Sequence, residues 1–233
     1  MLNVVYSSDE NYAKFMAVSI NSLYINNVEI NELKVFVLDN NISLDSKIKL
    51  NNIAKRYNRE IVYIAFSDIE SKAKTKLTND RSLSMYSRLF IASLLPVDIE
   101  KVVYLDCDSL VLSSFSELLS IDLTSDLICG VKDIVSDHYK NSIWGNKDYS
   151  YINSGFLLIN LSMWRRLSIE SKIIEYINLH NGDVPHHDQG IINGLLYNQI
   201  RILPLRYNLI TPYFEYDGSI RSGQVKSREF MIE

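Results

Sequence analysis

The chain has 233 residues, a formal charge of −4, 47% hydrophobic and 22% charged residues, which suits one sizeable globular core and excludes a disordered polymer. A net negative chain without a sustained Lys/Arg stripe has no footprint for a row of phosphates, so nucleic acid is not an expected partner. No stretch is long and apolar enough to form a transmembrane segment, no basic leader with a cleavage site opens the sequence, and Cys107 and Cys129 read as buried reduced thiols. The expectation is a cytoplasmic protein, free or peripheral to the inner face of the membrane.

Apolar runs recur in chain order: Val4-Val5-Tyr6, Val35 to Leu38, Ile61 to Ile64, Val102 to Leu105 and Leu127 to Val131. Runs without polar alternation suit strands buried on both faces. Between the first two, Ala13, Met16, Ala17, Ile20, Leu23 and Tyr24 fall on one helical stripe that starts just after Asp9. A second helix is predicted from a Ser43 cap through Leu44, Ile48, Leu50, Ile53, Ala54 and Tyr57. Strand-helix alternation predicts right-handed crossovers in a mostly parallel sheet. After residue 110 the segments shorten, and Phe156 to Asn160 follows a polar loop instead of a helix, so a mixed sheet is expected. Prolines and glycines are scattered, and neither linker nor repeat interrupts the pattern, which gives one domain over 1–233.

In such sheets ligands bind beyond the carboxyl ends of the strands, which directs attention to Ser7 to Asn11, Asp39 to Asn41, Asp106 to Ser109 and Asp133. Asp106-Cys107-Asp108 ends an apolar strand with carboxylates at i and i+2, on one face if the strand continued. Two hard oxygen ligands suit Mg²⁺ or Mn²⁺ bridging a diphosphate, although an acidic turn after a strand has the same appearance. Haloacid dehalogenase phosphatases also place Asp-x-Asp after a strand. Against that stand the motif's mid-chain position, Leu110 where Thr or Val is expected, and the lack of a later acidic pair after a strand. In Asn153-Ser154-Gly155 the glycine permits close backbone approach to a ligand, while taken alone the segment reads as a turn before an edge strand. Asp188 in His187-Asp188-Gln189 falls in the first turn of a predicted helix, where capping is its simplest role; the adjacent His186 and His187 lack a zinc-ligand spacing.

Together these segments resemble the family 8 glycosyltransferases over nearly the whole chain. Val4 to Tyr12 is similar to the family's nucleotide-binding strand and loop, Tyr86-Ser87-Arg88-Leu89 to its donor-contacting helix, and Tyr104 to Asp108 to its metal motif. Asn153-Ser154-Gly155 and Asp188-Gln189 are similar to its sugar-binding segments. The resemblance implies a single Rossmann-like GT-A domain and a retaining hexosyltransferase. The donor it implies is UDP-glucose or UDP-galactose, with Mn²⁺ (or Mg²⁺) on Asp106 and Asp108 and a saccharide or glycosylated acceptor. It implies that Ser8, Asp9, Asn11 and Tyr12 bind the nucleotide, that Arg88 and Ser154 contact the donor, and that Asp133, Asn153, Asp188 and Gln189 surround the transferred sugar. Gln189, a poor nucleophile, favours front-face attack over a covalent intermediate. A nucleotide-sugar-binding module without turnover is the alternative.

The family's third metal ligand, a histidine followed by glycine and lysine, is expected downstream of Glu233. Ser227 to Glu233 is similar to the helix before it, and His138, His180, His186 and His187 do not take its place. A truncated form with weaker donor binding and reduced turnover is the expectation.

Overall fold

The computed structural model describes residues 1–65, 83–134, 137–145 and 149–211. The helix expected over Ser227 to Glu233 lies outside the described residues. The apolar runs form β1 (Leu2–Asp9), β2 (Leu33–Asn40), β3 (Ile61–Ala65), β4 (Lys101–Leu105), β5 (Ile128–Lys132) and β6 (Ile152–Asn160), joined by β7 (Ile200–Leu203). They make one sheet in the order β3-β2-β1-β4-β6-β5-β7. Strands β1 to β4 pair in parallel, as do β5 and β7, whereas β6 runs antiparallel to β4 and β5. This is the expected mixed, mostly parallel α/β sheet.

Burial of both faces explains why these strands lack polar alternation. Val4, Tyr6, Val35 and Val37 enter a core that includes residues of α1 (Ala13–Ile25) and α2 (Leu44–Arg56), while Val5, Phe36 and Leu38 enter the core on the opposite face. That second core is closed by a 3-10 helix (Leu83–Phe90), α3 (Ile91–Leu94), α6 (Leu161–Arg166), α7 (Ile169–Leu179) and α8 (His187–Leu196). Two further helices, α4 (Ser116–Ser120) and α5 (Asp137–Trp144), flank β5 in sequence. Ser43 caps α2 as predicted, its hydroxyl accepting from the Ser46 amide at 3.2 Å. The apolar face of α2 is narrower than its sequence suggests, because Leu44 and Ile48 are 74% and 50% exposed and burial falls on Leu50 and Ala54. In α6 the Arg165 guanidinium donates to the carbonyls of Ala92, Leu95, Pro96, Val97 and Ile99, fixing the loop that leads into β4.

The expectation of a turn before an edge strand is corrected at Asn153-Ser154-Gly155. These residues lie inside β6, between β4 and β5. Being antiparallel, β6 brings its first residues alongside the carboxyl end of β4, with Leu105 opposite Phe156. Among the described residues no helix is long and apolar enough to cross a membrane.

Candidate active site

The carboxyl ends of β1, β4 and β5 meet the start of β6 and the first turn of α8. The Asp106 amide donates to the Gly155 carbonyl at 2.9 Å, and the chain then turns, with the Ser109 amide donating to the Asp106 carbonyl at 3.1 Å. The strand does not continue through Asp108, so the two carboxylates occupy corners of a turn instead of alternate positions on one strand face. Asp108 is exposed. Cys107 points inward and its thiol donates to the Ser7 carbonyl at 2.9 Å. Burial pushes that thiol up to about 12, which keeps it protonated and unsuited to metal ligation.

Asp106 is held from two sides. The buried Tyr104 hydroxyl donates to its Oδ1 at 3.1 Å, and Arg88 Nη2 pairs with the same oxygen at 2.9 Å. Arg88 is 9% exposed, lies 4.4 Å over the Tyr104 ring, and donates to the Ser154 carbonyl at 2.8 Å. Its Nε lies 3.1 Å from Asp188 Oδ2, close enough for an ion pair but out of line for a hydrogen bond. Burial opposes the guanidinium charge, but Asp106, Tyr104 and Asp188 outweigh it and hold Arg88 cationic. Burial raises the Asp188 carboxyl above its ordinary value, with Arg88 opposing the shift. Asp188 does sit in the first turn of α8, yet no side-chain cap forms there; it points into the fold and accepts from the Ser154 hydroxyl at 3.2 Å. The predicted capping role is corrected to a buried ion pair.

Gln189, next along α8, reaches the other side of Ser154. Its Oε1 accepts from the Ser154 amide at 3.0 Å and hydroxyl at 3.3 Å, while its Nε2 donates to Asp133 Oδ2 at 2.9 Å. Asn153 Nδ2 faces the same Asp133 oxygen at 3.3 Å, and Asn153 Oδ1 accepts from the Gly155 amide at 2.9 Å and from Asn208 Nδ2 at 2.8 Å. A Cβ at Gly155 would stand 3.0 Å from both Asn153 Oδ1 and Asp106 Oδ2. Only glycine lets these two groups close over the strand.

The nucleotide-loop residues lie on the neighbouring strand. β1 pairs with β4, and Ser7 touches both Cys107 and Ser87, the latter hydroxyl donating to Ser7 Oγ at 2.6 Å. Asp9 Oδ1 accepts from the Tyr12 amide at 3.1 Å, which folds the loop, while Asn11 and Tyr12 are exposed. Ser8 is 1% exposed and hydrogen-bonds the Asp9 carbonyl, bracing the loop from inside. Asp39 is occupied elsewhere, pairing with Lys47 and accepting from the Ile42 amide.

Among the described residues no three His, Cys, Asp or Glu side chains converge on one point. Asp106 and Asp108 carry hard carboxylate oxygens, the donor type that suits a divalent cation. The sequence assigned no role to Tyr151, Gly190 or Asn208, named Tyr104 only as part of the metal motif, and weighed His186 only as a metal ligand. Gly190 had a signal: a glycine inside an apolar helical run. A Cβ there would overlap the Pro185 carbonyl oxygen, and this contact lets residues 185–187 turn back through left-handed backbone, with His186 at φ 60° and His187 at φ 51°.

A family model described as glycosyl transferase family 8 matches residues 3–231. A Haemophilus influenzae protein assigned to the glycosyltransferases is 32% identical over 211 residues, covering 89% of this chain and 63% of its own length. Lipopolysaccharide 1,2-glucosyltransferase of Escherichia coli K12 is 27% identical over 216 residues, covering 90% of this chain and 62% of the relative. The chain thus spans just under two thirds of these relatives. The crystal structure of the galactosyltransferase LgtC with donor and acceptor sugar analogs matches with a TM-score of 0.82 at 27% identity, covering 98% of this chain and 82% of that one. These likenesses set aside the haloacid dehalogenase reading. The chain belongs to glycosyltransferase family 8.

Proposed function

We propose that the protein is a retaining hexosyltransferase that moves glucose or galactose from a UDP-sugar to a hydroxyl of a saccharide or glycosylated acceptor, using Mn²⁺ or Mg²⁺ at Asp106 and Asp108. The observation that carries this reading is the Arg88 clamp. It joins Asp106, at the metal end, to Asp188 and Ser154, at the sugar end, across a few ångströms of buried polar contacts. Relatives named as a glucosyltransferase and a galactosyltransferase support a hexose donor.

A divalent cation at this position supplies Lewis-acid stabilisation to the departing diphosphate. Asp106 is aimed by Arg88 and Tyr104, which both hold Oδ1 and leave Oδ2 over Gly155. Asp9, Asn11 and the exposed Tyr12 ring receive the base and ribose, with Ser8 beneath them. Asp133, Asn153, Ser154, Asp188 and Gln189 surround the sugar and set negative and amide-oxygen density against the charge that develops at the anomeric carbon.

Retention by a covalent intermediate needs a free nucleophile. Gln189 Oε1 already accepts from the Ser154 amide, Asp188 is tied to Arg88, and the single Ser154 hydroxyl proton lies between the two. Both groups are therefore placed to stabilise charge and poorly placed to attack. The reading that remains is attack by the acceptor on the face from which diphosphate leaves, its proton passing to a phosphate oxygen.

Turnover of UDP-glucose and UDP-galactose with and without manganese tests the assignment. Metal-dependent release of UDP that disappears in D106N is the expected result. If neither nucleotide sugar raises the melting temperature at about 1 mM, donor binding itself is refuted, because a ligand that binds the folded state must stabilise it. Binding without release of UDP would leave a nucleotide-sugar-binding module.

A further inference from the structure

We propose that His186 is a positioning residue for Gln189: its single Nδ1 lone pair, shared between the Tyr151 hydroxyl and the second amide hydrogen of Gln189 in a three-centre hydrogen bond, fixes that side chain against the sugar site. The inference rests on the reading that places Gln189 beside the transferred sugar.

The amide orientation follows from its neighbours. The Ser154 main-chain N–H is a donor and sits 3.0 Å from one end of the Gln189 amide, so that end is the carbonyl oxygen. Asp133 Oδ2, an acceptor at 2.9 Å, requires the NH₂ group at the other end. One hydrogen of that group goes to Asp133. The second faces His186 Nδ1 at 3.3 Å, with the Tyr151 hydroxyl oxygen beside it.

Nδ1 must then carry a lone pair, because an amide nitrogen only donates. The same nitrogen lies 2.8 Å from the Tyr151 hydroxyl. Tyr151 is fully buried, and burial pushes its phenol well above the ordinary tyrosine value, so it keeps a proton to donate. The imidazole is consequently the neutral tautomer protonated at Nε2. The alternative tautomer would set an Nδ1–H against the amide hydrogens of Gln189.

The rest of the environment holds the ring in plane and the backbone in place. Tyr139 of α5 stacks on it at 4.0 Å between centroids and 13° between planes, and Tyr151 lies near-parallel at 5.9 Å. His186 takes a left-handed conformation at φ 60°, and the Gly190 amide donates to its carbonyl at 3.1 Å. A side chain in strained backbone, buttressed on its face and bonded at its edge, is a device for orientation.

H186N and H186F separate the two features of the ring. Asparagine places an amide oxygen near the Nδ1 position and tolerates left-handed backbone, whereas phenylalanine retains the stacking surface and loses the acceptor. With UDP-glucose and UDP-galactose hydrolysis in manganese as the assay, H186F should lower kcat about tenfold, the loss of one positioned hydrogen bond, with KM for the donor within about twofold. H186N should recover most of that loss. Long-range ¹H–¹⁵N spectra of the unliganded full chain, which holds four histidines, should show His186 as the Nε2–H tautomer, its resonances assigned by their loss in H186N. An Nδ1–H tautomer would overturn the inference. So would H186F turning over at the wild-type rate while Q189A is impaired, a result that leaves the role of Gln189 intact. Equal losses in H186F and H186N with a matching fall in melting temperature would show a structural role only, and overturn it too. A Q189A variant with unchanged kcat would instead remove the Gln189 reading and this inference with it.

Discussion

Removing the Arg88 charge while keeping its bulk, as in R88M, leaves Asp188 buried at 4% exposure without its counter-charge. Breaking one side of a buried ion pair costs about 3–5 kcal/mol. In a domain of this size each kcal/mol lowers the melting temperature by about 2–4 °C, so a fall of roughly 6–20 °C is expected near neutral pH. Asp106 adds little to this figure, because its side chain is 36% exposed and water screens the lost partner. The pH dependence gives a sharper check. Burial already raises the Asp188 carboxyl and Arg88 opposes the shift, so without Arg88 its folded-state pKa rises further. A carboxyl raised in the folded state favours folding below its unfolded pKa of about 4, and that contribution is lost as pH climbs through the raised value. The deficit of R88M should therefore be largest at alkaline pH and shrink on acidification. Thermal melts of wild type, R88M, D188N and the double variant across pH measure both the deficit and the coupling. An R88M melting temperature within about 2 °C of wild type, or a deficit that does not depend on pH, would refute the clamp as a charge interaction.

D108N should abolish the melting-temperature increment that manganese and UDP give together while leaving the unliganded protein unchanged, since its carboxylate is exposed to solvent. G155A should impair turnover far more than stability, because the added methyl would press at 3.0 Å on Asp106 Oδ2 and Asn153 Oδ1, both movable side-chain ends; equal kcat in the variant would contradict the proposed closeness of those groups to the reacting centre. G190A should destabilise by at least about 2 kcal/mol in urea unfolding, because its methyl would overlap a main-chain carbonyl that cannot swing aside.

Length, composition and the rhythm of apolar runs were enough to determine a mixed α/β sheet, because a strand buried on both faces must be apolar at successive positions, and β1, β2 and β4 are. The Ser43 cap was equally local, set by a residue that acts on its own helix turn, whereas α1 begins only at Ala13, after the turn that follows Asp9, and without a side-chain cap. The carboxylates were legible as a candidate site, but their relation was not. Whether Asp106 and Asp108 share a strand face or a turn depends on β6 lying antiparallel beside β4, which stops the ladder at the Gly155 carbonyl. Likewise Asp188 reads as a capping carboxylate until Arg88, a hundred residues earlier in the chain, is brought to 3.1 Å from it. His186 and Tyr151 carried no local signal, since a hydrogen bond between an imidazole and a phenol 35 residues apart exists only once α8 packs on β6. Short-range propensity therefore chose the elements, and long-range packing chose which way their polar side chains face, because a buried donor or acceptor must find its partner wherever the fold brings one.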